Sequence, residues 1–298
     1  MESSSITKTC DCKGKRTCLL CEKLLDKTPK NYYEEYKSRL FFSYCPTCEK
    51  IYKCWESING CDDHESMTGH NFPGVCIILE FISSEEADSL VKAVDKNLGW
   101  DTSQSGRRKK NFGPKVNFKK KKLSIGKFEG FPPCTLFLRQ RFKNVDFLKD
   151  FITIEECFLE YDTNRGSHID PHIDDCWIWG ERIVTVNCLG NSVLTLTKHI
   201  PMYDKQYNID SMESYESQLI VPLVNEVPDN IVIRIPMPER SLLIMSGPAR
   251  YQYEHSVLRE DIFSRRVAIA YREFTFPYQK GNSKYDEAEK IYKICESK

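Results

Sequence analysis

The chain has 298 residues, of which 40% are hydrophobic, including 16 Phe and 15 Tyr, enough for one large buried core plus an appendage. Lys plus Arg and Asp plus Glu are equal at 43 each, which excludes a polyelectrolyte attraction spread over the whole surface and leaves nucleic-acid affinity to a local patch. The strongest apolar run, Val75 to Leu79, is too short to span a bilayer, and Met1-Glu2-Ser3-Ser4-Ser5 has neither region of a signal peptide, so a soluble protein of cytoplasm and nucleus is expected.

The first distinctive segment is rich in cysteine. Eight of the 14 cysteines precede residue 62: Cys10, Cys12, Cys18, Cys21, Cys45, Cys48, Cys54 and Cys61. In a reducing compartment such clustering points to metal rather than to disulfides. Cys10-x-Cys12-x5-Cys18-x2-Cys21 offers four thiolates within twelve residues, as a tetrahedral zinc requires, and the lysines and arginine between them favour thiolate formation. Cys45-Pro46-Thr47-Cys48, with Cys54, Cys61 or His64, offers a second set, or a replacement ligand for the first. The competing reading is free surface thiols. Residues 1–65 are read as a zinc-binding appendage ordered by metal. Cys76, Cys134, Cys157, Cys176, Cys188 and Cys295 read as packing residues.

A globular region is expected over residues 70–280. Val75 to Ile82 is a strand, Ser83-Ser84-Glu85-Glu86 a capping box, and Leu90, Val91, Val94 and Leu98 recur at helical spacing. Between Arg107 and Lys122 lie nine basic residues: Arg107, Arg108, Lys109, Lys110, Lys115 and Lys119 to Lys122, with Phe112 and Phe118 interleaved. Such a loop or hairpin suits phosphate contact and base stacking, or docking of an acidic protein surface; the plainer readings are a solvated hairpin or a nuclear-import signal. Leu136 to Phe142 is a second helix. From about residue 152 the pattern turns β, in short β-branched runs separated by Gly, Pro, Asn and Asp: Ile183 to Leu189, Ser192 to Thr197, Ile231 to Ile235, Ser241 to Met245 and Arg266 to Tyr271. Residues 198–230 form a polar insertion. In the tail, 281–298, Tyr285, Ala288, Ile291 and Ile294 fall in helical phase. The fold class is α+β, mainly β: a sandwich, barrel or jelly roll with flanking helices.

The chemistry concentrates at Asp170-Pro171-His172-Ile173-Asp174-Asp175. His172-x-Asp174 is two-thirds of the 2-His-1-carboxylate triad that holds non-heme Fe(II) with coordination positions open. His168-x-Asp170 is a second such pair four residues upstream, and spacing alone does not rank the two. For the third ligand His255, just after an apolar strand, is preferred to His199 in the polar insertion. Arg266 and Arg272 lie an even number of residues apart, hence on one face of a strand, with Ala268 and Ala270 between them. Two guanidiniums beside small residues suit a short dicarboxylate; against this stands the commoner fate of arginine, solvation on an edge strand. Trp177-Ile178-Trp179-Gly180 reads as pocket or lid.

At these residues the chain resembles the AlkB family of Fe(II)/2-oxoglutarate-dependent dioxygenases, whose pattern is His-x-Asp, a distal His, then Arg-x5-Arg. It is similar to one subfamily, the fourth animal homologue, in Cys10-Asp11-Cys12-Lys13-Gly14 with Arg16-Thr17-Cys18, in Ser105 to Lys109 with Phe112 to Phe118, and in Arg165-Gly166-Ser167 through Trp179-Gly180-Glu181-Arg182. The resemblance implies a double-stranded β-helix core and assigns the iron to His172, Asp174 and His255, leaving His168 a spectator. It implies Fe(II), O2 and 2-oxoglutarate as cosubstrate, with Arg266 on the distal carboxylate, Arg272 near the end bound to iron and Tyr161 a hydroxyl donor. The basic stretch would form a substrate lid, so Arg107, Arg108, Lys109, Lys110, Lys115, Trp177 and Trp179 are candidate substrate contacts. Better-known members often carry Asn where this chain has Ala268, and Asn near Tyr161, where it has Leu159 and Glu160. The implied reaction is oxidative N-demethylation of monomethyl-lysine in a protein, actin, and/or of N6-methyladenine in DNA, releasing formaldehyde, succinate and CO2. The alternative is a zinc-organised binding module with a vestigial iron site.

Overall fold

The computed structural model describes residues 10–12, 16–200 and 207–296. Lys13 and Gly14 of the first subfamily-like string, and residues 201–206 of the insertion, lie outside them.

In chain order the elements are α1 (Leu19–Leu25), α2 (Tyr32–Lys37), β1 (Leu40–Tyr44), β2 (Lys50–Tyr52), β3 (His70–Asn71), β4 (Val75–Ile78), α3 (Ser84–Ala93), β5 (Asp101–Thr102), β6 (Arg108–Phe112), β7 (Lys115–Asn117) and β8 (Lys122–Ser124). There follow α4 (Leu136–Phe142), β9 (Glu155–Tyr161), β10 (Ile169–His172), β11 (Trp179–Leu189), β12 (Ser192–Lys198), α5 (Asp210–Glu213), β13 (Ile231–Met237), β14 (Leu242–Met245), α6 (Gly247–Tyr251), β15 (Tyr253–Val257), β16 (Arg266–Phe274) and α7 (Tyr285–Glu296). The architecture is mixed and mainly β. One seven-stranded sheet has the order β10-β15-β12-β13-β1-β2-β3, the other β4-β14-β11-β16-β9-β6-β5, and β7-β8 is a separate hairpin. No helix among the described residues is long and apolar enough to cross a membrane.

Alternation of side chains builds the layers. Leu194, Leu196, Ile233 and Ile235 of the first sheet meet Tyr161, Ile183, Leu243 and Met245 of the second in one core. On the second sheet's outer face, Val184, Val186, Ile244, Ile269 and Tyr271 receive Leu90 of α3 and Leu138 and Phe142 of α4. On β16, therefore, Ile269 and Tyr271 face the helices, and the alternate positions Arg266, Ala268, Ala270 and Arg272 face inward.

Helix α3 begins at the expected capping box. The Glu86 amide donates to Ser83 Oγ at 3.2 Å and the Ser83 amide to Glu86 Oε2 at 2.9 Å. Arg141 of α4 then binds the same carboxylate at 2.6 and 2.9 Å. The helical pattern to Leu98 ends in a wider π turn over Val94–Leu98, closed by Gly99 at φ +70°, a conformation that costs glycine little. The strand expected to reach Ile82 stops at Ile78 because Glu80 turns the chain at φ +49°.

Two segments are more integrated than their composition indicates. Leu40 to Ser43 of β1 pair in parallel with Ile231 to Arg234 of β13, so the Cys-rich stretch is part of the first sheet and is not ordered by metal alone. The insertion contributes Met212 and Tyr215, which pack with Ile173, Cys176 and Tyr251 beneath the His-x-Asp loop. In the tail helix Ala288, Ile291, Tyr292 and Cys295 are buried against Trp177, Trp179 and Phe274.

Candidate metal centre and cosubstrate pocket

Antiparallel pairing of β10 with β15 sets His172 directly opposite His255. Their rings lie 4.2 Å apart between centroids. Asp174 follows on the loop leaving β10, and one ligand atom from each of the three residues lies within 4.8 Å of the other two. An ion with bonds of about 2 Å joins ligand atoms about 3–4 Å apart, so small side-chain adjustments suffice.

The tautomer of His172 follows from its neighbour. Nδ1 lies 2.9 Å from the Asp170 carbonyl oxygen, which can only accept, so Nδ1 carries the proton and the Nε2 lone pair is free. His255 Nδ1 is buried and has no hydrogen-bond partner among the described residues. Burial pulls both imidazoles below their usual range, for His255 with the help of His172, so both rings are neutral donors. Burial opposes ionisation of Asp174, yet the Arg272 guanidinium outweighs it and holds the carboxyl well below the usual range. Two neutral nitrogens and one carboxylate oxygen fit a divalent transition metal such as Fe(II).

Arg272 grips Asp174 with both arms: Nε donates to Oδ2 at 2.9 Å and a terminal nitrogen to Oδ1 at 3.3 Å. Its other terminal nitrogen donates to Glu155 at 2.6 Å. In the structure Arg272 therefore orients the Asp174 carboxylate, the candidate metal ligand.

Arg266 is in a different situation. It is 2% exposed, and no carboxylate pairs with it among the described residues. Its Nε donates to Asn187 Oδ1 at 2.8 Å, a terminal nitrogen approaches Met237 Sδ at 3.4 Å, and the guanidinium lies 5.0 Å from the centre of the Tyr161 ring. Burial lowers its pKa from the ordinary value. A guanidinium taken from water without an anion costs several kcal/mol, so the site is built to receive a negative group. Ala268 and Ala270, both buried, place only methyl groups on the inward face of β16 between the two arginines.

Asn187 was not singled out in the sequence. Its signal is a lone amide in the apolar run of β11. It donates to the carbonyls of Gly190, Met237 and Pro238 at 2.7 to 3.0 Å, which turns its oxygen towards Arg266. The amide expected at position 268 or near Tyr161 is thus supplied from the neighbouring strand.

The second His-x-Asp closes on itself. His168 Nδ1 donates to the Gly166 carbonyl at 3.0 Å, Nε2 faces Asp170 at 3.5 Å, and Arg16 reaches the same carboxylate at 3.4 Å. His199 lies beside Glu254 and Tyr207 at the end of β12, outside the triad.

The candidate substrate contacts divide. Arg108 binds the buried Glu160 and is committed to the fold. Trp177 and Trp179 are 4% and 3% exposed; they form core against α7 and are no lid, although Trp179 borders Arg272 at 5.9 Å. Arg107 is half-buried, and its Nε has no hydrogen-bond partner among the described residues. Lys109 is exposed and Lys110 faces Asp101 at 3.6 Å. Lys115 and Lys119 to Lys122 are exposed on the β7–β8 hairpin, where Phe118 is 50% exposed.

At the N-terminus Cys10, Cys12, Cys18 and Cys21 offer sulfurs within 4.8 Å of one another. Cys18 and Cys21 Sγ are 3.8 Å apart, about the separation of two sulfurs on a tetrahedral zinc. Burial pushes the Cys12 thiol up to about 12. Glu22 of α1 ties this knot to the body through Arg259 at 2.7 and 2.9 Å.

No family model matches the chain. Among curated proteins it is similar to alpha-ketoglutarate-dependent dioxygenase alkB homolog 4 of Homo sapiens, at 35% identity over 99% of this chain and 95% of that one. The Mus musculus protein of the same name is 34% identical over 96% and 94%. A DNA N6-methyl adenine demethylase of Caenorhabditis elegans is 28% identical over 95% and 92%. Among solved structures OsALKBH1 is a remote likeness, with TM-score 0.43 and 11% identity over 68% of this chain.

Proposed function

The chain belongs to the AlkB family of alpha-ketoglutarate-dependent dioxygenases, and from that premise we propose that it removes N-methyl groups oxidatively, with N6-methyladenine in DNA as the preferred substrate. The observation that carries the cosubstrate part is the buried Arg266 without a carboxylate, set between Asn187 and Tyr161.

His172, Asp174 and His255 would hold the iron. Bound there with 2-oxoglutarate and O2, the iron supplies the oxidising chemistry, with succinate, CO2 and formaldehyde as products. The chain's own residues position the reactants and exclude water. Arg266 takes the distal carboxylate of 2-oxoglutarate in a charge-assisted pair, Tyr161 adds its hydroxyl, and Asn187 fixes the guanidinium. Arg272 holds Asp174 and lies towards the end of the cosubstrate that meets the metal. The two facing sheets, which we read as a double-stranded β-helix, supply the apolar walls. No side chain need move a proton in this scheme.

The nucleic-acid reading rests on the hairpin, whose exposed Phe118 and five lysines combine a stacking surface with phosphate-binding charge, and on the printed activity of the nematode relative. Acting on a base in duplex DNA requires flipping it out. The Cys10, Cys12, Cys18 and Cys21 knot is proposed as a structural zinc site. The test compares succinate and formaldehyde release with methyladenine DNA and with monomethyl-lysine peptides, actin-derived ones included. Preferred turnover of the DNA, weakening steeply with salt, is expected; turnover of the peptides alone would move the substrate to protein. Exchanging His172, Asp174 or His255 for Ala should abolish succinate formation while the domain stays folded, and wild-type succinate production in any of the three would refute the ligand set.

A further inference from the structure

A third convergence of metal-ligating side chains lies at the opposite edge of the first sheet from the iron ligands. Cys45, Cys48, Cys61 and His64 each direct one ligand atom to a common point, all within 4.8 Å of one another. They come from two pieces of chain. Cys45 and Cys48 form the turn between β1 and β2, and Cys61 and His64 begin and end a short 3-10 turn before β3. We propose that these four residues bind a zinc ion, a site distinct from both the iron centre and the Cys10–Cys21 knot.

The local geometry is that of a metal-binding knuckle. In Cys45-Pro46-Thr47-Cys48-Glu49-Lys50 the chain reverses so that the Cys45 amide donates to the Lys50 carbonyl at 2.9 Å and the Glu49 amide to the Cys45 carbonyl at 3.0 Å. The reversal requires Glu49 at φ +58°, an uncommon conformation for a residue with a side chain. It brings the two thiols to one side of the turn. From the other piece, His64 Nε2 lies 3.6 Å from Cys48 Sγ. On a tetrahedral zinc, with bonds of about 2.3 Å to sulfur and 2.0 Å to nitrogen, these atoms would stand about 3.5 Å apart.

His64 is held in place from behind. Its ring stacks on Tyr52 at 3.6 Å with an interplanar angle of 16°, and the Tyr52 hydroxyl reaches Cys48 Sγ at 3.2 Å. A hydrogen-bonding group beside a ligand atom helps to orient that ligand in a metal site. Cys54, the remaining cysteine of the segment, turns away and faces the Glu56 carbonyl at 3.5 Å. The packing thus selects three thiols and one imidazole out of the five candidates in this stretch.

Burial differs across the set. Cys45 is fully buried, Cys48 half-buried, His64 7% exposed and Cys61 exposed. Packing accounts for a buried Cys45, but it does not account for an exposed Cys61 aimed at the same point. Three thiolates and an imidazole favour zinc over the hard cations Mg2+ and Ca2+. Binding would release the thiol protons to solvent with no redox change. A four-ligand site leaves no open position, so its role is to staple the β1–β2 turn and the 61–64 turn together.

The experiment is a metal count on the full chain by elemental mass spectrometry, with zinc and iron measured separately. Wild type is expected to hold one zinc more than the Cys61→Ser variant, with iron content equal in the two, because the iron ligands are at the far edge of the sheet. Cys61→His should restore the zinc. Cys10→Ser should remove a different zinc or none, which separates this site from the N-terminal knot. Equal zinc in wild type and Cys61→Ser overturns the proposal, as does a disulfide among Cys45, Cys48 and Cys61 in protein prepared with iron and zinc under reducing conditions. Should Cys61→Ser fail to fold, the cobalt-substituted wild type decides. Sulfur-to-cobalt charge-transfer absorption that falls to the share of the Cys10–Cys21 knot on selective alkylation of Cys61, Cys45 and Cys48 supports the site, and absorption unchanged by that alkylation overturns it.

Discussion

Arg266 is the residue whose surroundings say most about the reaction. It is as buried as the aliphatic core around it, yet its neighbours among the described residues are an amide, a thioether and the Tyr161 side chain, with no carboxylate. Truncating a buried charge that pairs with a ligand typically costs 2–5 kcal/mol of binding, so Arg266→Gln should raise the KM for 2-oxoglutarate by about a hundredfold or more in steady-state succinate assays. Asn187→Ala should raise it less, by roughly tenfold, because the guanidinium remains but is no longer fixed. Arg272→Gln should act differently, lowering iron affinity through the loss of its grip on Asp174; iron titration followed by succinate yield separates the two effects. At this scale the shared face of the arginine pair was legible in the sequence, because strand periodicity puts even-spaced residues on one face, whereas the choice of His172 and Asp174 over His168 and Asp170 rests on the family resemblance, since spacing leaves the two pairs level. Asn187 was not legible: its role depends on which strand lies beside β16, and pairing between distant strands leaves no local signature.

Among the elements, β9 is held by charge as well as by its ladder. Glu160, 1% exposed in its side chain, receives Arg108 from β6, Arg165 from the following turn and Arg265 from just before β16. Burial opposes its ionisation, but the three guanidiniums prevail and hold its carboxyl below the usual range. A depressed carboxylate stabilises the fold fully above its unfolded pKa of about 4.3, and the contribution is lost as pH falls through the lower folded value. The prediction is acid unfolding below about pH 4 in wild type. Glu160→Gln, which leaves three guanidiniums around a neutral amide, should already be about 3–5 kcal/mol less stable at neutral pH, with less further loss in acid; denaturant melts across the range would show it. The β7–β8 hairpin makes the opposite use of charge, with its lysines exposed to solvent. Replacing Lys119 to Lys122 by Ala should weaken DNA binding and flatten its salt dependence, leaving succinate formation on a small N-methyl substrate unchanged. The sequence located this basic stretch but not its division: β6 is anchored by Arg108 on Glu160, whereas the hairpin lysines are all exposed. Composition cannot distinguish a lysine that faces water from an arginine that faces a buried acid 52 residues away.

At the scale of the molecule, the two sheets place the candidate iron ligands and the second cysteine set at opposite edges of one sheet, with the arginines proposed to hold the cosubstrate facing inward between the sheets. The expected division into appendage, domain and tail misses that arrangement, because β1 carries no amphipathic pattern strong enough to announce a partner. A chain beginning at residue 66 should lose the strand that covers β13, and should show a markedly lower Tm and a tendency to associate through the bared edge. A further consequence lies in the order of events at the ribosome. Leu40 pairs with Ile231, so roughly 190 residues must be synthesised before β1 can find its neighbour, about ten seconds or more at ordinary elongation rates. During that interval the nascent amino-terminal stretch has its cysteines but no sheet to rest on. Closing so long a loop is entropically slow. Metal captured early would shorten the search by presenting β1 and β2 as an already folded hook, so that zinc scarcity during growth would show as a shortfall of soluble protein before it showed as a loss of catalysis.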